Sequence, residues 1–284
     1  MRNRIATGLA AAAVLASLMG AGCASSKQPA PKKPDKLTQE LLTQPKEVLF
    51  DKGKALLEKK KYEDARKYLN HVFETYPNEP MGREALLLVA DSYFKQSNTT
   101  GYTEARYRYR DYLNRYPGAP QRDYARYQFA LCYDKEHERP DRDQTATREA
   151  IEQYRMLIRE FPTSGYAGGA RERIRQLTDL LAEHDFQIGY FYMRKGSTAA
   201  ALSRFNSLEQ NFPDYGAKDK LYYYQGLALD RLGRKDEARR YFEKVVEAFP
   251  QSDFAKKARS KSGSKPSEKP PTAAAAVDSK PQSQ

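Results

Sequence analysis

The stretch FQIGYFYMRKGSTAAALSRFNSLEQNFP, residues 186–213, contains the pattern from which the fold can be predicted. Counted from Ala201, large apolar residues follow at offsets 4, 7 and 11: Phe205, Leu208 and Phe212. These offsets place the side chains on one face of an α-helix. Pro213 ends that helix because proline lacks a backbone donor. Gly189 lies on a preceding helix, where its missing side chain lets the second helix pack closely. The stretch therefore predicts a helix–turn–helix unit, with a first helix A and a second helix B.

The same pattern occurs five times along the chain. The alanines of helix B are Ala65, Ala105, Ala150, Ala201 and Ala238, and the terminating prolines are Pro77, Pro117, Pro162, Pro213 and Pro250. The helix A glycine occurs in three copies, as Gly53, Gly189 and Gly226, and Ala90 and Ala130 take its place in copies two and three. This pattern resembles the tetratricopeptide repeat, a helix–turn–helix unit of about 34 residues. It predicts an all-α solenoid of five units, about ten helices, over residues 46–255: 46–80, 83–118, 120–163, 168–214 and 218–251.

Insertions interrupt the regular spacing of the copies. We expect longer loops between helices A and B at QSNTTGY (96–102) and at HERPDRDQTAT (137–147). Apolar positions continue without a break through residues 169–196, which predicts one helix of about 28 residues. A long helix of this kind could join two blocks of repeats.

The charge of the chain lies mainly outside the repeats. The formal net charge is +12, but residues 37–255 carry 36 Lys and Arg against 34 Asp and Glu. A nucleic-acid-binding domain concentrates positive charge within the fold. The distribution therefore argues against a nucleic-acid partner. Residues 256–284 are basic, rich in Lys, Pro, Ser and Ala, and are predicted to form a disordered tail.

The first 22 residues have the features of an export signal, with basic residues, a short apolar segment and small residues before Cys23. The residues preceding Cys23 resemble a bacterial lipobox, although Gly20 stands where leucine is usual. Lipidation of Cys23 would anchor the chain to a membrane, and ordinary cleavage with an incidental thiol is the alternative. Residues 23–45 suit a flexible tether. Some bacteria use an aspartate directly after the lipidated cysteine to retain a lipoprotein in the inner membrane. The residue here is Ala24, which indicates the outer membrane.

No pattern typical of catalysis, a cofactor site or a metal site occurs in the sequence. His71, His137 and His184 are scattered, and none belongs to a zinc, nucleophile or phosphate-loop motif. Asp141 and Asp143 could hold a metal, but loop-fixing hydrogen bonds explain them better. Cys132 lies on an apolar helical face and is expected to be a small buried residue. The sequence thus favours a non-enzymatic protein without a cofactor.

Stacked helix pairs offer a groove that binds extended peptides or a partner helix. Tyr93 and Tyr127, both on A helices, are candidates for lining such a groove. The alternative for each is a place in the core.

Three further segments carry a resemblance to a known family. They are DYARYQFALCYD (123–134), the loop beginning DRD at residue 141, and the long helix ending at residue 196. In these segments the chain resembles the outer-membrane assembly factor BamD (YfiO/ComL) family, over about residues 46–255. The resemblance implies a lipoprotein on the periplasmic face of the outer membrane, in a complex that folds and inserts β-barrel proteins.

The resemblance also implies partners. The carboxy-terminal repeats would dock the POTRA domains of the barrel subunit, with Arg204 in the contact. The amino-terminal repeats would engage unfolded outer-membrane proteins, and further assembly lipoproteins could join. The alternatives are a periplasmic repeat scaffold of the Tol–Pal or cell-division type, a scaffold for peptidoglycan enzymes, and an enzyme with a repeat appendage.

Overall fold

The structure, a computed structural model, describes residues 35–262. The predicted signal peptide, Cys23 and the tail beyond residue 262 lie outside that range. The described part divides into two units, the first ending at Thr43 and the second beginning at Gln44. The first contributes one short helix, α1 (Lys36–Thr43), to the described residues. These residues were predicted to belong to the flexible tether, so that part of the prediction was wrong.

The second unit consists of five antiparallel helix pairs and a final helix. In chain order they are α2 (Lys46–Glu58), α3 (Tyr62–Thr75), α4 (Pro80–Phe94), α5 (Thr99–Arg115), α6 (Arg122–Lys135), α7 (Thr145–Glu160), α8 (Ala167–Arg194), α9 (Thr198–Asn211), α10 (Lys218–Arg231), α11 (Lys235–Ala248) and α12 (Asp253–Ser262). Each helix packs on the next. Helices α2 to α11 form the five predicted tetratricopeptide units, and the all-α fold class is confirmed.

Each B helix ends in the same way, at the aromatic residue before the proline. These five residues, Tyr76, Tyr116, Phe161, Phe212 and Phe249, have φ between −122° and −135° and ψ between 51° and 69°. The proline that follows disfavours the α conformation at the preceding residue. Each aromatic residue still donates its backbone N–H to the carbonyl four residues earlier. The aromatic–proline pair therefore stops the helix without leaving that donor unpaired.

The predicted contact between the helix A glycines and helix B is present in all three copies that have one. A Cβ atom on Gly53 would lie 2.7 Å from Leu69, one on Gly189 would lie 2.6 Å from Phe205, and one on Gly226 would lie 2.7 Å from Phe242. These distances are too short for any side chain without displacement of the large residue. The glycines thus let helix B approach helix A at the fourth residue after its alanine.

The two predicted loop insertions differ in structure. In copy three the insertion forms a nine-residue connection, residues 136–144, as predicted. In copy two the connection is only residues 95–98, and the inserted residues instead lengthen α5 to 17 residues. Asn98 begins that helix, accepting the Gly101 backbone N–H on Oδ1 at 2.7 Å. The predicted long loop in copy two was therefore wrong, because the polar stretch contains a helix N-cap.

The long helix and the end of the domain complete the second unit. Helix α8 has 28 residues, as the apolar spacing predicted. Helix α12 extends to Ser262, so residues 256–262, which were assigned to the tail, are helical. Ala255 and Ala258 on α12 are fully buried. Small buried alanines gave too little apolar bulk for the sequence to indicate this helix. Within residues 35–262, no helix has the length and apolarity needed to cross a bilayer.

Candidate partner-binding surfaces

Arg204 lies on α9 and is exposed to solvent. The adjacent Phe205 is fully buried, which fixes the rotation of α9 and turns the arginine outward. Within the described residues Arg204 forms no ion pair or hydrogen bond. Its guanidinium is therefore available to a carboxylate on another molecule. A role for Arg204 in binding remains a prediction.

Tyr93 is half-buried on α4 and is covered by an arginine of the neighbouring helix α3. The guanidinium carbon of Arg66 lies 4.0 Å from the centre of the Tyr93 ring. Arg66 is only 9% exposed and donates from Nη1 to Ser92 Oγ at 3.3 Å. One face of Tyr93 is therefore already occupied.

Tyr127 is half-buried on α6, between two other tyrosines. Its ring stacks on Tyr166 with centroids 5.0 Å apart and lies 5.7 Å from the ring of Tyr154. It packs against the core formed by α6, α7 and α8. These contacts favour a core position for Tyr127 over a free position in a groove.

Two buried tyrosine–aspartate contacts, which the sequence did not reveal, join the A and B helices of copies two and three. Tyr109 donates its hydroxyl to Asp91 at 2.5 Å, and Tyr124 donates to the same carboxylate oxygen at 2.8 Å. Desolvation by burial raises the pKa of Asp91, and the two hydroxyl donors oppose that shift. The pKa of Tyr109 is raised well above its usual value, first by burial and then by the nearby carboxylate. Tyr109 therefore stays protonated and serves as a donor.

The second contact is a larger network on Asp134, which is 1% exposed. Tyr154 donates to Asp134 at 2.9 Å, and Arg173 of α8 donates to both carboxylate oxygens at 2.7 and 2.5 Å. The hydrogen bond to Asp134 is the main cause of the raised pKa of Arg173. Because these groups come from α6, α7 and α8, the network fixes copy three to the long helix.

A cavity of about 350 Å³ opens between α4, the start of α6 and Tyr166. Its lining includes Glu84, Asp91 and Asp123 together with Tyr124. Within residues 35–262 none of these three carboxylates forms an ion pair. A second cavity, of about 340 Å³, lies between α8 and the turn after α9, and Ile174, Ala182, Phe212 and Tyr215 line it. The two cavities differ in character, the first acidic and the second more apolar.

An aromatic cluster covers the A helices at the carboxy-terminal end. Phe186 of α8 lies 5.4 Å from Tyr224 of α10, and Tyr224 lies 6.1 Å from Phe254 of α12. Tyr190 joins through Tyr224 at 5.3 Å. Phe191, beside the cluster in sequence, is 56% exposed. The sequence indicated Tyr93 and Tyr127 as candidate groove residues, and only the structure shows that the rings of this cluster meet.

His184, Asp143 and Cys132, which the sequence analysis considered for catalysis or metal binding, make contacts within the fold. His184 Nδ1 lies 2.6 Å from the carbonyl of Pro140, which ties the long loop to α8. Asp143 accepts the backbone N–H of Thr145 at 2.9 Å, and this bond lowers its pKa. Cys132 is fully buried, as predicted, and burial raises the pKa of its thiol. Within the described range no group of three or more His, Cys, Asp or Glu residues is placed to hold a metal ion.

The chain is similar to proteins of known family. A family model described as "YfiO: Outer membrane lipoprotein" matches residues 43–241. An "Outer membrane protein assembly factor BamD" from Caulobacter vibrioides is 29% identical over 81% of this chain and 72% of its own length. The BamD of Rickettsia prowazekii is 28% identical over 87% of this chain and 94% of its own, and that of Haemophilus influenzae is 25% identical over 73% and 81%. The family match covers α2 to α10 entirely and the first half of α11, so the chain belongs to the YfiO family of outer membrane lipoproteins.

Proposed function

We propose that the chain is a non-enzymatic adaptor of the machinery that folds β-barrel proteins and inserts them into the outer membrane. The observation that carries this proposal is the family match over the repeat domain, with relatives named as outer membrane protein assembly factors. Cys23 would carry the lipid that holds the chain on the periplasmic face of that membrane. The helix pairs would then present two binding regions.

The carboxy-terminal region would bind the POTRA domains of the β-barrel subunit. Support comes from the exposed and unpaired Arg204 on α9, together with the more apolar cavity and the aromatic cluster in the same half of the chain. An arginine can donate two parallel hydrogen bonds to one carboxylate, which suits an interface ion pair. Other assembly lipoproteins would add to this complex.

The amino-terminal region would bind unfolded segments of outer-membrane proteins. Half-buried aromatic rings and open cavities between repeats offer the mixed apolar and polar surface that extended peptides need. The first of these rings is Tyr93. Tyr127, further along, would support the surface from the core.

A titration would test the carboxy-terminal contact. The purified chain would be titrated with the detergent-solubilised β-barrel subunit from the same cells, and binding followed by calorimetry. We expect Arg204→Glu to weaken binding at least tenfold, because it replaces an attraction by a repulsion.

Arg155→Glu is the matched control, since Arg155 is an exposed helix B arginine of copy three without an ion pair in the described part of the chain. That control should bind as the unaltered chain does. Equal binding by Arg204→Glu and the unaltered chain would exclude Arg204 from the contact. No binding by the unaltered chain would contradict the adaptor role itself.

A further inference from the structure

Arg66 and Arg106 occupy equivalent places in copies one and two. Each directly follows the helix B alanine, and each lies over a tyrosine of the next A helix. The Arg106 guanidinium carbon is 4.4 Å from the centre of the Tyr133 ring, as Arg66 is 4.0 Å from Tyr93. The spacing of the two arginines equals that of the two tyrosines. The same arginine–tyrosine stack therefore occurs twice in the chain.

The two stacks differ in the residue three positions after the tyrosine. Arg106 forms an ion pair with Glu136, three residues after Tyr133. The residue three after Tyr93 is Gln96. Both residues make the same backbone hydrogen bond: the N–H of Glu136 donates to the Tyr133 carbonyl at 3.0 Å and that of Gln96 donates to the Tyr93 carbonyl at 3.1 Å. The first copy thus has a neutral amide where the second has the carboxylate.

Arg66 is left as a buried cation without a counter-ion. It is 9% exposed, and its hydrogen bond in the described residues goes from Nη1 to the neutral Ser92 Oγ. No carboxylate between residues 35 and 262 pairs with it. Burying a guanidinium without a counter-ion costs free energy that a partner charge would recover. The other donors, Nε and Nη2, make no hydrogen bond within residues 35–262, so they could pair with an acceptor from another molecule.

We propose that Arg66, stacked on Tyr93, is a binding site for a carboxylate of the polypeptide segment held by the amino-terminal repeats. This inference rests on the proposed function. In copy two the carboxylate of Glu136 neutralises the stacked arginine. A carboxylate suits this role because it can accept two donors of a planar guanidinium. Because Tyr93 covers one face of Arg66, the carboxylate approaches the edge. It comes either from an Asp or Glu side chain or from the end of the segment.

Labelled peptides would test the site. The probe is a ten-residue peptide of alternating Val, Tyr and Thr, the pattern of a barrel strand, with one central Glu and an amidated end. A second peptide has Gln for Glu, and a third has Gln with a free terminal carboxylate. Fluorescence anisotropy would give the dissociation constant of each with the full chain. We expect a peptide with a carboxylate to bind about tenfold more tightly than the amidated Gln peptide.

Two variants connect that difference to Arg66. Arg66→Gln removes the donor, and Gln96→Glu supplies the carboxylate that Glu136 supplies in copy two, so each should abolish the preference for a carboxylate. Gln96→Glu should also raise the thermal midpoint, which shows that the fold is intact. The matched control Arg106→Gln should leave the preference unchanged, because Glu136 already occupies Arg106.

The outcomes separate the two proposals. If only the Glu peptide, or only the free-end peptide, binds more tightly than the amidated Gln peptide, the carboxylate site is supported and the source of the carboxylate is identified. Equal binding of all three peptides would overturn the carboxylate site but leave peptide binding in place. Binding of none would contradict both. If Arg66→Gln changes binding to phosphatidylglycerol vesicles but not to peptides, the site serves a phosphate and the proposal is wrong.

Discussion

Copies two and three join helix A to helix B differently from copies four and five. In the later copies a glycine on helix A meets a phenylalanine on helix B, and the contact is hydrocarbon alone, as in Gly189–Phe205 and Gly226–Phe242. In the earlier copies the helix A residue is a fully buried alanine, and helix B carries a tyrosine whose hydroxyl reaches an aspartate. The same repeat position is thus filled by packing in one block and by a buried hydrogen bond in the other.

The two kinds of contact depend on different physical conditions. A hydrogen-bonded contact is directional and depends on the ionisation of a carboxylate, whereas a packed contact depends on volume. The polar block also contains the acidic cavity and Tyr93, the ring that the buried Arg66 of copy one covers. The packed block contains the aromatic cluster and the more apolar cavity. Variants at the two kinds of contact should therefore respond to different conditions.

The largest effect is expected from breaking the polar contact of copy three. Asp134→Ala would leave the hydroxyl of Tyr154 and the guanidinium of Arg173 without their acceptor. We expect a loss of about 2–4 kcal/mol in the free energy of unfolding, reduced by the partial exposure of Arg173. Urea unfolding followed by circular dichroism would measure it. Tyr154→Phe, which keeps the ion pair, should lose less, and an equal loss would place the stabilisation in the hydroxyl alone.

A smaller effect is expected from overfilling the packed contact of copy five. Gly226→Ala would place a methyl group 2.7 Å from the buried ring of Phe242. Forcing an extra carbon into a packed core costs about 1–3 kcal/mol.

Gly168→Ala is the matched control, because it lies in helix α8 and a Cβ atom there meets nothing within 4 Å. That control should be neutral or slightly stabilising. Equal thermal midpoints for the Gly226→Ala variant and the unaltered chain would show that the two helices do not interlock at Gly226.

The smallest effect concerns pH and the polar contact of copy two. The pKa of Asp91 is raised above its ordinary value of 3.8 in the folded chain, chiefly by burial. The folded state therefore holds that proton more tightly than the unfolded state. Its stabilising contribution is present below pH 3.8 and disappears as the pH rises through the raised pKa. We expect the stability of the unaltered chain, relative to Asp91→Asn, to fall as the pH rises above 4.

Asp143→Asn tests a carboxyl group for which stability should change with pH in the opposite direction. Hydrogen bonds from Thr145 lower the pKa of Asp143, so its contribution is present above the unfolded pKa and is lost as the pH falls. Urea midpoints between pH 3 and 7 would compare the two variants. Parallel slopes would contradict the opposite environments that the structure assigns to these carboxylates.

The packed block was more predictable from the sequence than the polar block. Gly189, Gly226 and the helix B offsets gave the contacts of copies four and five, because spacing alone determines which residues share a helix face. The pairs Tyr109–Asp91 and Tyr154–Asp134 were missed, because they depend on the three-dimensional register between helices A and B. The sequence contains the difference between Glu136 and Gln96, but only the arginine–tyrosine stacks of the structure show that the two positions are equivalent.

The candidate site was predicted only in outline. Arg204 came from the family resemblance, and its exposure follows from the burial of its neighbour Phe205. Tyr93 and Tyr127 were chosen as helix A tyrosines, but the sequence gave no means of knowing that Arg66 covers one and that Tyr154 and Tyr166 enclose the other.

The adaptor role can be tested most directly in the cells that produce the chain. The outer membrane would be extracted with a mild detergent, the chain recovered through a carboxy-terminal tag, and the proteins that accompany it identified by mass spectrometry. We expect a β-barrel protein with POTRA domains in stoichiometric amount. Recovery of Tol–Pal components or peptidoglycan enzymes, with no such barrel protein, would contradict the adaptor role.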